Sequence, residues 1–323
     1  MPTALPLPPL SLALQGGGAH GAFTWGVLDR LLEEPSLVLD GISATSSGAM
    51  NALALAQGWL ENGREGARAK LDELWAGIAT QSSLARWAFA GLSAAGAQGL
   101  LSSWAHHFTP EQINPFGLNP LRAIAERLFD FERLRAASPF KLFLAATRVR
   151  DGALTLFGNA ELSVDALLAS TCLPQLFAAV TIEGEAYWDG GYAGNPALQP
   201  LVYRCAAPTI ACVLVQPLSR PQLPASAREI AERVAELGFS TTFLREYESL
   251  IQAQAGLRGA VPLSTLGRRM KALRLHLIEP GESLAEFRAK SRLNTEPGFL
   301  RELRELGRTT ATAWLLARAG SAL

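Results

Sequence analysis

The stretch "LVLDGISATSSGAMNALALAQ" (residues 37–57) runs from an apolar, strand-like segment through small residues into a good helix former. A buried strand followed directly by a helix is typical of α/β proteins. The centre of the stretch, Ala44-Thr45-Ser46-Ser47-Gly48, differs at one position from the G-x-S-x-G pattern of a nucleophile elbow. Ala44 stands where that pattern has its first glycine. On this stretch alone, Ser46 is equally well explained as an exposed nucleophile or, like Ser47, as an ordinary helix N-cap.

Further apolar runs of strand length alternate with helical patterns along the chain. They cover residues 10–14 (LSLAL), 37–43 (LVLDGIS), 141–147 (KLFLAAT), 209–215 (TIACVLV) and 273–278 (LRLHLI). Continuous apolar strands are buried on both faces, which predicts a three-layer α/β/α fold with a mostly parallel central sheet. Residues 178–200 indicate a hairpin with a glycine-rich loop. Ligands of such sheets bind outside the carboxyl ends of the strands, where Ser46 falls.

Composition narrows the class of partner and the compartment. The 323 residues include 29 Lys+Arg and 29 Asp+Glu, so the net charge is near zero, which argues against nucleic acid as the main partner. The number and spacing of the three cysteines fit neither a disulfide framework nor a zinc site. They are Cys172, Cys205 and Cys212. The N-terminus lacks the basic region of a secretory signal, so we expect a reducing, cytoplasmic environment.

Residues 87–110 contain no Asp, Glu, Lys or Arg. Their many Gly, Ser and Gln residues and two histidines do not suit a membrane-spanning helix, which needs about 20 predominantly apolar residues. We interpret this segment as part of a helical cap, an insertion over about residues 80–136. Because this segment carries no charge, a peripheral contact between the cap and a membrane is one of its two interpretations. The alternative is a buried connecting helix.

A glycine run, Gly16-Gly17-Gly18-Ala19-His20-Gly21, follows the first predicted strand and precedes a helical pattern. Glycine lets the backbone approach a ligand closely, and N–H groups at a helix start attract negative charge. The run therefore fits an oxyanion hole. It also fits a dinucleotide-binding G-x-G-x-x-G, with Asp40 near the position of the expected acidic residue. A tight turn without function is the third interpretation.

A serine nucleophile requires a base, and the four histidines are poorly placed to serve as one. His276 alone lies late enough for the order Ser, acid, His, but it falls within a predicted strand. His20 precedes the serine. Asp189, which follows two aromatic residues and precedes Gly190 and Gly191, is a different candidate. Taken alone, Asp189 is better explained as an ordinary turn residue, because Asp-Gly is a common hairpin signal.

Together, three ordered motifs resemble the patatin-like phospholipase family. The family pattern is G-G-G-x-[Arg/Lys]-G, then G-x-S-x-G, then D-G-[Gly/Ala]. Residues 144–157 and 166–180 resemble further family segments, and the C-terminal half resembles a bacterial subgroup, so the resemblance covers most of residues 10–315. The three motifs correspond here to Gly16–Gly21, Ala44–Gly48 and Asp189-Gly190-Gly191.

The resemblance implies a patatin-like fold and a lipid acyl hydrolase that needs no cofactor and no metal. It implies that Ser46 is the nucleophile, that Asp189 is the base, and that backbone N–H groups form the oxyanion hole. Those N–H groups are carried over to Gly16, Gly17 and Gly18. Two departures from the pattern are Ala44 for the first elbow glycine and His20 for the basic residue.

The expected reaction is hydrolysis of lipid carboxylic esters, of phospholipids or other acyl esters, through an acyl-enzyme. An acyltransferase using the same intermediate and a non-catalytic lipid-binding protein remain as alternatives. A catalytic domain is expected over residues 8–200. Residues 201–323 are expected to complete the sheet within the same structural unit. The partner is a lipid or acyl ester, and self-association into a homo-oligomer is left open.

Overall fold

A computed structural model of the chain describes residues 9–93, 119–220, 223–281 and 289–320. Eight strands form one sheet with the order β5-β6-β3-β2-β1-β7-β8, and β4 pairs with β3 beside this path. The strands are β1 (Leu10–Leu14), β2 (Leu39–Thr45), β3 (Lys141–Arg148), β4 (Leu154–Gly158), β5 (Val180–Ile182), β6 (Glu185–Asp189), β7 (Thr209–Val213) and β8 (Arg274–Ile278).

Five adjacent strands, β3, β2, β1, β7 and the edge strand β8, are mutually parallel, while β4 and the β5–β6 hairpin are antiparallel to their neighbours. The mostly parallel sheet and the hairpin are both confirmed. β1 lies in the middle of the sheet and is covered on both faces, and all five of its residues are therefore buried.

Helices connect the strands and cover the sheet. α2 is interrupted at Asn62 and Gly63, whose dihedral angles are not helical, and so comprises two helices. The helices are α1 (Gly21–Leu32), α2 (Ser47–Ser93), α3 (Pro120–Leu128), α4 (Phe131–Ala137), α5 (Val164–Ser170), α6 (Gln199–Arg204), α7 (Ala227–Gly256), α8 (Thr265–Ala272) and α9 (Pro297–Gly320).

The two buried apolar clusters lie on either side of the sheet. One joins β1 and β2 to α1, α2 and α9, and includes Phe23 and Trp75. The other joins Ala13 and Phe143 to Cys212 and Phe243. Alternation of the β1 side chains between these clusters is the expected consequence of the two-residue period of a strand. Two helical layers around one sheet match the predicted three-layer fold.

The predicted cap is only partly within the described residues. Residues 80–93 continue the second half of α2, and residues 119–136 include α3 and most of α4. Residues 94–118 lie outside the described part of the chain, so most of the charge-free segment does as well. Contact between the cap and a membrane therefore stays a prediction. In the described ranges, no helix combines the length and apolarity needed to cross a bilayer.

Candidate active site

Ser46 occupies the sharp turn between β2 and α2. Its φ angle is +54°, a left-handed conformation that a residue with a side chain adopts only at a cost of about 1 kcal/mol or more. The turn brings the chain close to β1, because a Cβ added at Gly48 would lie 2.4 Å from the Leu14 carbonyl oxygen. A strained strand-to-helix turn of this kind exposes the serine hydroxyl at the start of a helix, where the dipole favours negative charge.

The glycine loop follows β1 and lies directly beside this elbow. A Cβ on Gly16 would lie 2.6 Å from the Ser46 Cβ. The Gly16 N–H donates to Asn195 Oδ1 at 2.7 Å, and the Gly17 N–H donates to Ser47 Oγ at 3.1 Å. Gly18 has a φ of +61°, and its N–H has no hydrogen-bond acceptor among the described residues. Of the three predicted oxyanion donors, the first two are thus already occupied and the third is free.

Asp189 ends β6 and is held by its own backbone. Its N–H donates to the Cys172 carbonyl at 2.7 Å, and its carbonyl accepts from Thr147 Oγ1 at 2.8 Å. Oδ1 of the carboxyl group accepts from the Gly191 N–H at 2.8 Å. The side chain is completely buried. These contacts fix the carboxyl group at the same end of the sheet as Ser46.

Burial raises the pKa of Asp189 from 3.8 to about 7, although hydrogen bonding from the Gly191 N–H and the Ser46 hydroxyl opposes the shift. Oδ2 nevertheless has no hydrogen bond of standard geometry in the described part of the chain. Both observations fit a Ser46 hydroxyl that lies near the carboxylate without the alignment of a formed bond. Catalytic hydrogen bonds are often long or poorly aligned until substrate binds, so this geometry is compatible with a catalytic pair.

His20 is buried beside the glycine loop, where its imidazole is neutral. Burial and the nearby Arg292 lower its pKa to about 4, while a hydrogen bond to the Val215 backbone opposes this. Its Nε2 lies 2.7 Å from Ser291 Oγ. A neutral imidazole that joins three segments fixes the position of the loop. It does not replace the family's basic residue.

His276 lies in β8, where it pairs with Ala211 and packs edge-on against Trp314 with ring centroids 5.7 Å apart. The structure thus assigns this histidine a packing role within the sheet. Asp40 is the second residue of β2 and accepts the Ala207 N–H at 2.7 Å, at the amino end of the parallel strands. The dinucleotide interpretation is therefore wrong, since its acidic residue would have to reach the glycine loop at the opposite end.

Two supporting residues were not predicted from the sequence. Asn195 is fully buried; its amide accepts from Gly16 and donates to the carbonyls of Gly16 (3.3 Å) and Phe239 (3.1 Å). Ser170 Oγ accepts the Ser46 N–H at 3.1 Å. Asn195 follows the Asp189-Gly190-Gly191 motif after three intervening residues, and this closeness in sequence was the available signal. Nothing in the sequence indicated its contact with a loop 179 residues earlier.

The described residues contain no group of three or more His, Cys, Asp or Glu side chains arranged to hold a metal ion. The fold and the elbow together define a class of α/β/α proteins in which a strand-to-helix turn presents a serine at the carboxyl end of a mostly parallel sheet. Within this class, the family description "Patatin-like phospholipase" matches residues 12–202. The chain belongs to the patatin-like phospholipase family, and thereby to the lipid acyl hydrolases.

Two solved structures have a similar chain path. VipD from Legionella pneumophila has a TM-score of 0.37 and 15% identity, with 93% of this chain and 67% of VipD covered. The ExoU–SpcU complex of the Pseudomonas aeruginosa type III secretion system gives a TM-score of 0.41 and 15% identity. That match covers 98% of this chain but 53% of the other, so the chain spans about half its length. No curated protein sequence matches the chain.

Proposed function

We propose that this protein hydrolyses carboxylic esters of lipids through a Ser46–Asp189 dyad and an acyl-enzyme. The observation that carries the proposal is the pairing of a strained serine at the start of α2 with a fully buried carboxyl group whose pKa is about 7. An ordinary aspartate, with a pKa near 3.9, is a weak base for a serine. A base is most effective when its pKa lies close to the working pH, so burial gives Asp189 suitable basicity.

In the first half-reaction, Ser46 Oγ attacks the acyl carbonyl carbon as its proton passes to Asp189. The tetrahedral intermediate collapses when the carbon–oxygen bond to the alcohol breaks. Asp189 then returns the proton to the leaving oxygen. In the second half-reaction, Asp189 takes a proton from water, which attacks the acyl-enzyme. The carboxylic acid leaves, and the proton returns to Ser46 Oγ. Atoms and protons balance with no further group.

The oxyanion in both half-reactions requires N–H donors that are free. We assign this role to Gly18, because the N–H groups of Gly16 and Gly17 already donate to Asn195 and Ser47. The left-handed conformation of Gly18 also restricts the position to glycine, since an added Cβ would meet the Arg292 carbonyl oxygen. Gly16 and Gly17 then support the loop. Losing one oxyanion donor typically costs about 10²–10³ in rate.

Replacing Ser46 by Ala tests the nucleophile directly. We expect Ser46→Ala to reduce hydrolysis of a short acyl ester by at least about 10³-fold, and Asp189→Asn to do nearly as much damage. His276→Ala is the matched control, because this side chain packs in β8, and its activity should stay near wild type. An inactive His276→Ala together with an active Asp189→Asn would show that the base is a histidine.

Labelling separates catalysis from lipid binding alone. A fluorophosphonate probe should label the wild-type protein and leave Ser46→Ala unlabelled, whereas a non-catalytic relative would not be labelled at all. Product analysis in the presence of a competing alcohol distinguishes hydrolysis from acyl transfer. We expect free fatty acid as the main product. Transfer to the alcohol as the dominant product would instead identify an acyltransferase.

A further inference from the structure

An exposed apolar loop tip precedes α8 and lies far from Ser46 and Asp189. Val261 and Leu263 are 85% and 91% exposed, and Leu266 in the first turn of α8 is 47% exposed. Scattered exposed apolar residues are common on proteins. Three large ones within six residues, two of them almost fully in water, form a distinct feature.

The loop that carries them is held in place. Pro262 packs against Gly267, where an added Cβ would lie 2.8 Å from the proline Cβ. Lys271 Nζ donates to the Ala260 carbonyl at 2.6 Å, and Ser264 caps α8 by accepting the Gly267 N–H at 3.0 Å. The exposed side chains are thus presented on a fixed turn, so a partner would not need to order this loop.

The surroundings of the loop are strongly basic. Residues 249–278 contain five Lys or Arg residues and no Asp or Glu. Arg269 is partly buried and donates to the Leu201 carbonyl at 2.8 Å. The other four are exposed, and none forms an ion pair with a carboxylate in the described ranges. They are Arg258, Arg268, Lys271 and Arg274. We call these four residues, together with Val261, Leu263 and Leu266, the 258–274 patch.

The 258–274 patch lies at the opposite end of the sheet from Ser46. Arg274 is the first residue of β8 and pairs with Thr209, the first residue of β7. Arg269 binds backbone carbonyls at the end of α6, just before β7 begins. The elbow and the glycine loop follow the carboxyl ends of β2 and β1, which are parallel to β7. Contact at the patch therefore leaves the candidate active site uncovered.

We propose that the 258–274 patch docks on an anionic lipid bilayer and anchors the protein there. Val261 and Leu263 enter the boundary between headgroups and acyl chains, while the four basic residues lie among the lipid phosphates and carboxylates. Each Lys or Arg near such a surface strengthens binding about fivefold. A protruding apolar tip with a basic surround matches this partner, since polyanions without an apolar interior would leave both side chains in water.

Sedimentation of the 323-residue chain with vesicles tests this. The probes are vesicles of phosphatidylcholine alone and of phosphatidylcholine with about one third phosphatidylserine. We expect binding to the anionic vesicles only. Val261→Ser/Leu263→Ser and Arg258→Gln/Arg274→Gln should each weaken binding at least tenfold. The matched controls are Leu223→Ser, which removes a side chain that is also 91% exposed, and Arg245→Gln, an exposed charge on α7. Both controls should bind as wild type does.

Several results would overturn the proposal. These are equal binding to both vesicle types, no binding to either, or patch variants that bind as tightly as the two controls. A change of sedimentation coefficient in the patch variants without vesicles would instead identify a contact between protein copies. The outcome is independent of the proposed catalysis. Ser46→Ala should bind vesicles normally, and the patch variants should hydrolyse a soluble ester at the wild-type rate.

Discussion

Asp189 combines complete burial with a carboxyl group that has to be charged in the proposed mechanism. Burial disfavours the charged form and is the largest influence on its pKa. The same shift affects folding. Because the folded state holds this proton up to a pH of about 7 while an unfolded aspartate releases it near 3.8, the stability contributed by this group falls as the pH rises through that interval. The candidate base is thus obtained at a cost in stability.

The pH dependence of hydrolysis follows from this pKa. Below about 7 the protonated Asp189 cannot accept the serine proton, so we expect kcat/KM to fall about tenfold for each pH unit lower. A pH-stat assay with an uncharged ester gives the profile, and circular dichroism at each pH serves as the control for folding. An acidic limb centred near 4 would show that the activity does not depend on a buried carboxylate.

Ala44 replaces the first glycine of the elbow pattern, and the structure shows why a methyl group is tolerated at this position. Its side chain is fully buried in the apolar cluster, on a strand residue that pairs with Leu14 and Leu144. The close backbone approach at the elbow instead involves Gly48 and Gly16. The methyl group of Ala44 therefore fills the core and does not crowd Ser46.

Replacing Ala44 by Gly should consequently leave the rate unchanged. We expect kcat/KM within twofold of wild type and a free energy of unfolding about 1 kcal/mol lower, from the lost methyl burial and the flexible glycine. Ester hydrolysis and urea unfolding measure the two quantities. Gly48→Ala is the matched comparison, since its Cβ would collide with the Leu14 carbonyl and should abolish activity. A faster Ala44→Gly enzyme would mean that the methyl group does constrain the elbow.

At the level of elements, the strands were predictable because each is a short, continuous apolar run. The predicted run at residues 10–14 coincides with β1, and the other four overlap β2, β3, β7 and β8. The sequence also placed Ser46 and Asp189 at strand ends. Asn195 and Ser170 were not predicted, because their contacts depend on which strand ends lie side by side in the folded sheet. A single sequence contains no local signal for contacts between residues so far apart along the chain.

A buried ionic cluster joins α1 to α2 and α9. Asp29 on α1 is 1% exposed, and its carboxylate accepts from Arg68 Nε on α2 at 2.7 Å and from Arg304 on α9 at 2.9 Å. Arg308 on α9 is a third partner. Burial alone would raise the pKa of Asp29, but the hydrogen bond from Arg68 and the charge of Arg304 lower it further than burial raises it. This stabilisation is therefore present above the unfolded pKa and is lost in acid.

Asp29→Asn should destabilise the packing of these three helices. Removing the carboxylate leaves three guanidinium groups together, for which we expect a loss of about 3 kcal/mol in the free energy of unfolding. Glu305→Gln is the control, because its carboxylate is 66% exposed and lies 3.7 Å from Arg304. That change should alter stability by less than about 0.5 kcal/mol. Equal urea midpoints for both variants would show that the cluster contributes little.

On the scale of the whole molecule, the family match ends within the folded structure. It covers residues 12–202, yet β7 pairs with the entire length of β1, and β8 extends the sheet beyond β7. One apolar cluster contains Ala13 and Phe143 from the matched part and Cys212 and Phe243 from the part that follows. α9 also packs along α1 and contributes Leu303, Ala311 and Leu315 to the other apolar cluster. These contacts support the proposal that residues 201–323 and the catalytic region form one structural unit.

A chain ending at Val202 should therefore fail to fold. It would expose the whole edge of β1, a buried apolar strand with unpaired backbone groups, and such edges lead to aggregation. We expect aggregation, or a soluble product without near-UV circular dichroism, whereas the full chain should unfold in a single cooperative calorimetric transition. Deleting only residues 321–323 is the control and should leave the transition in place. If the chain ending at Val202 retained ester hydrolysis and cooperative unfolding, the C-terminal residues would instead be a separate domain, because the packing of β7 and α9 would then be dispensable for the catalytic fold.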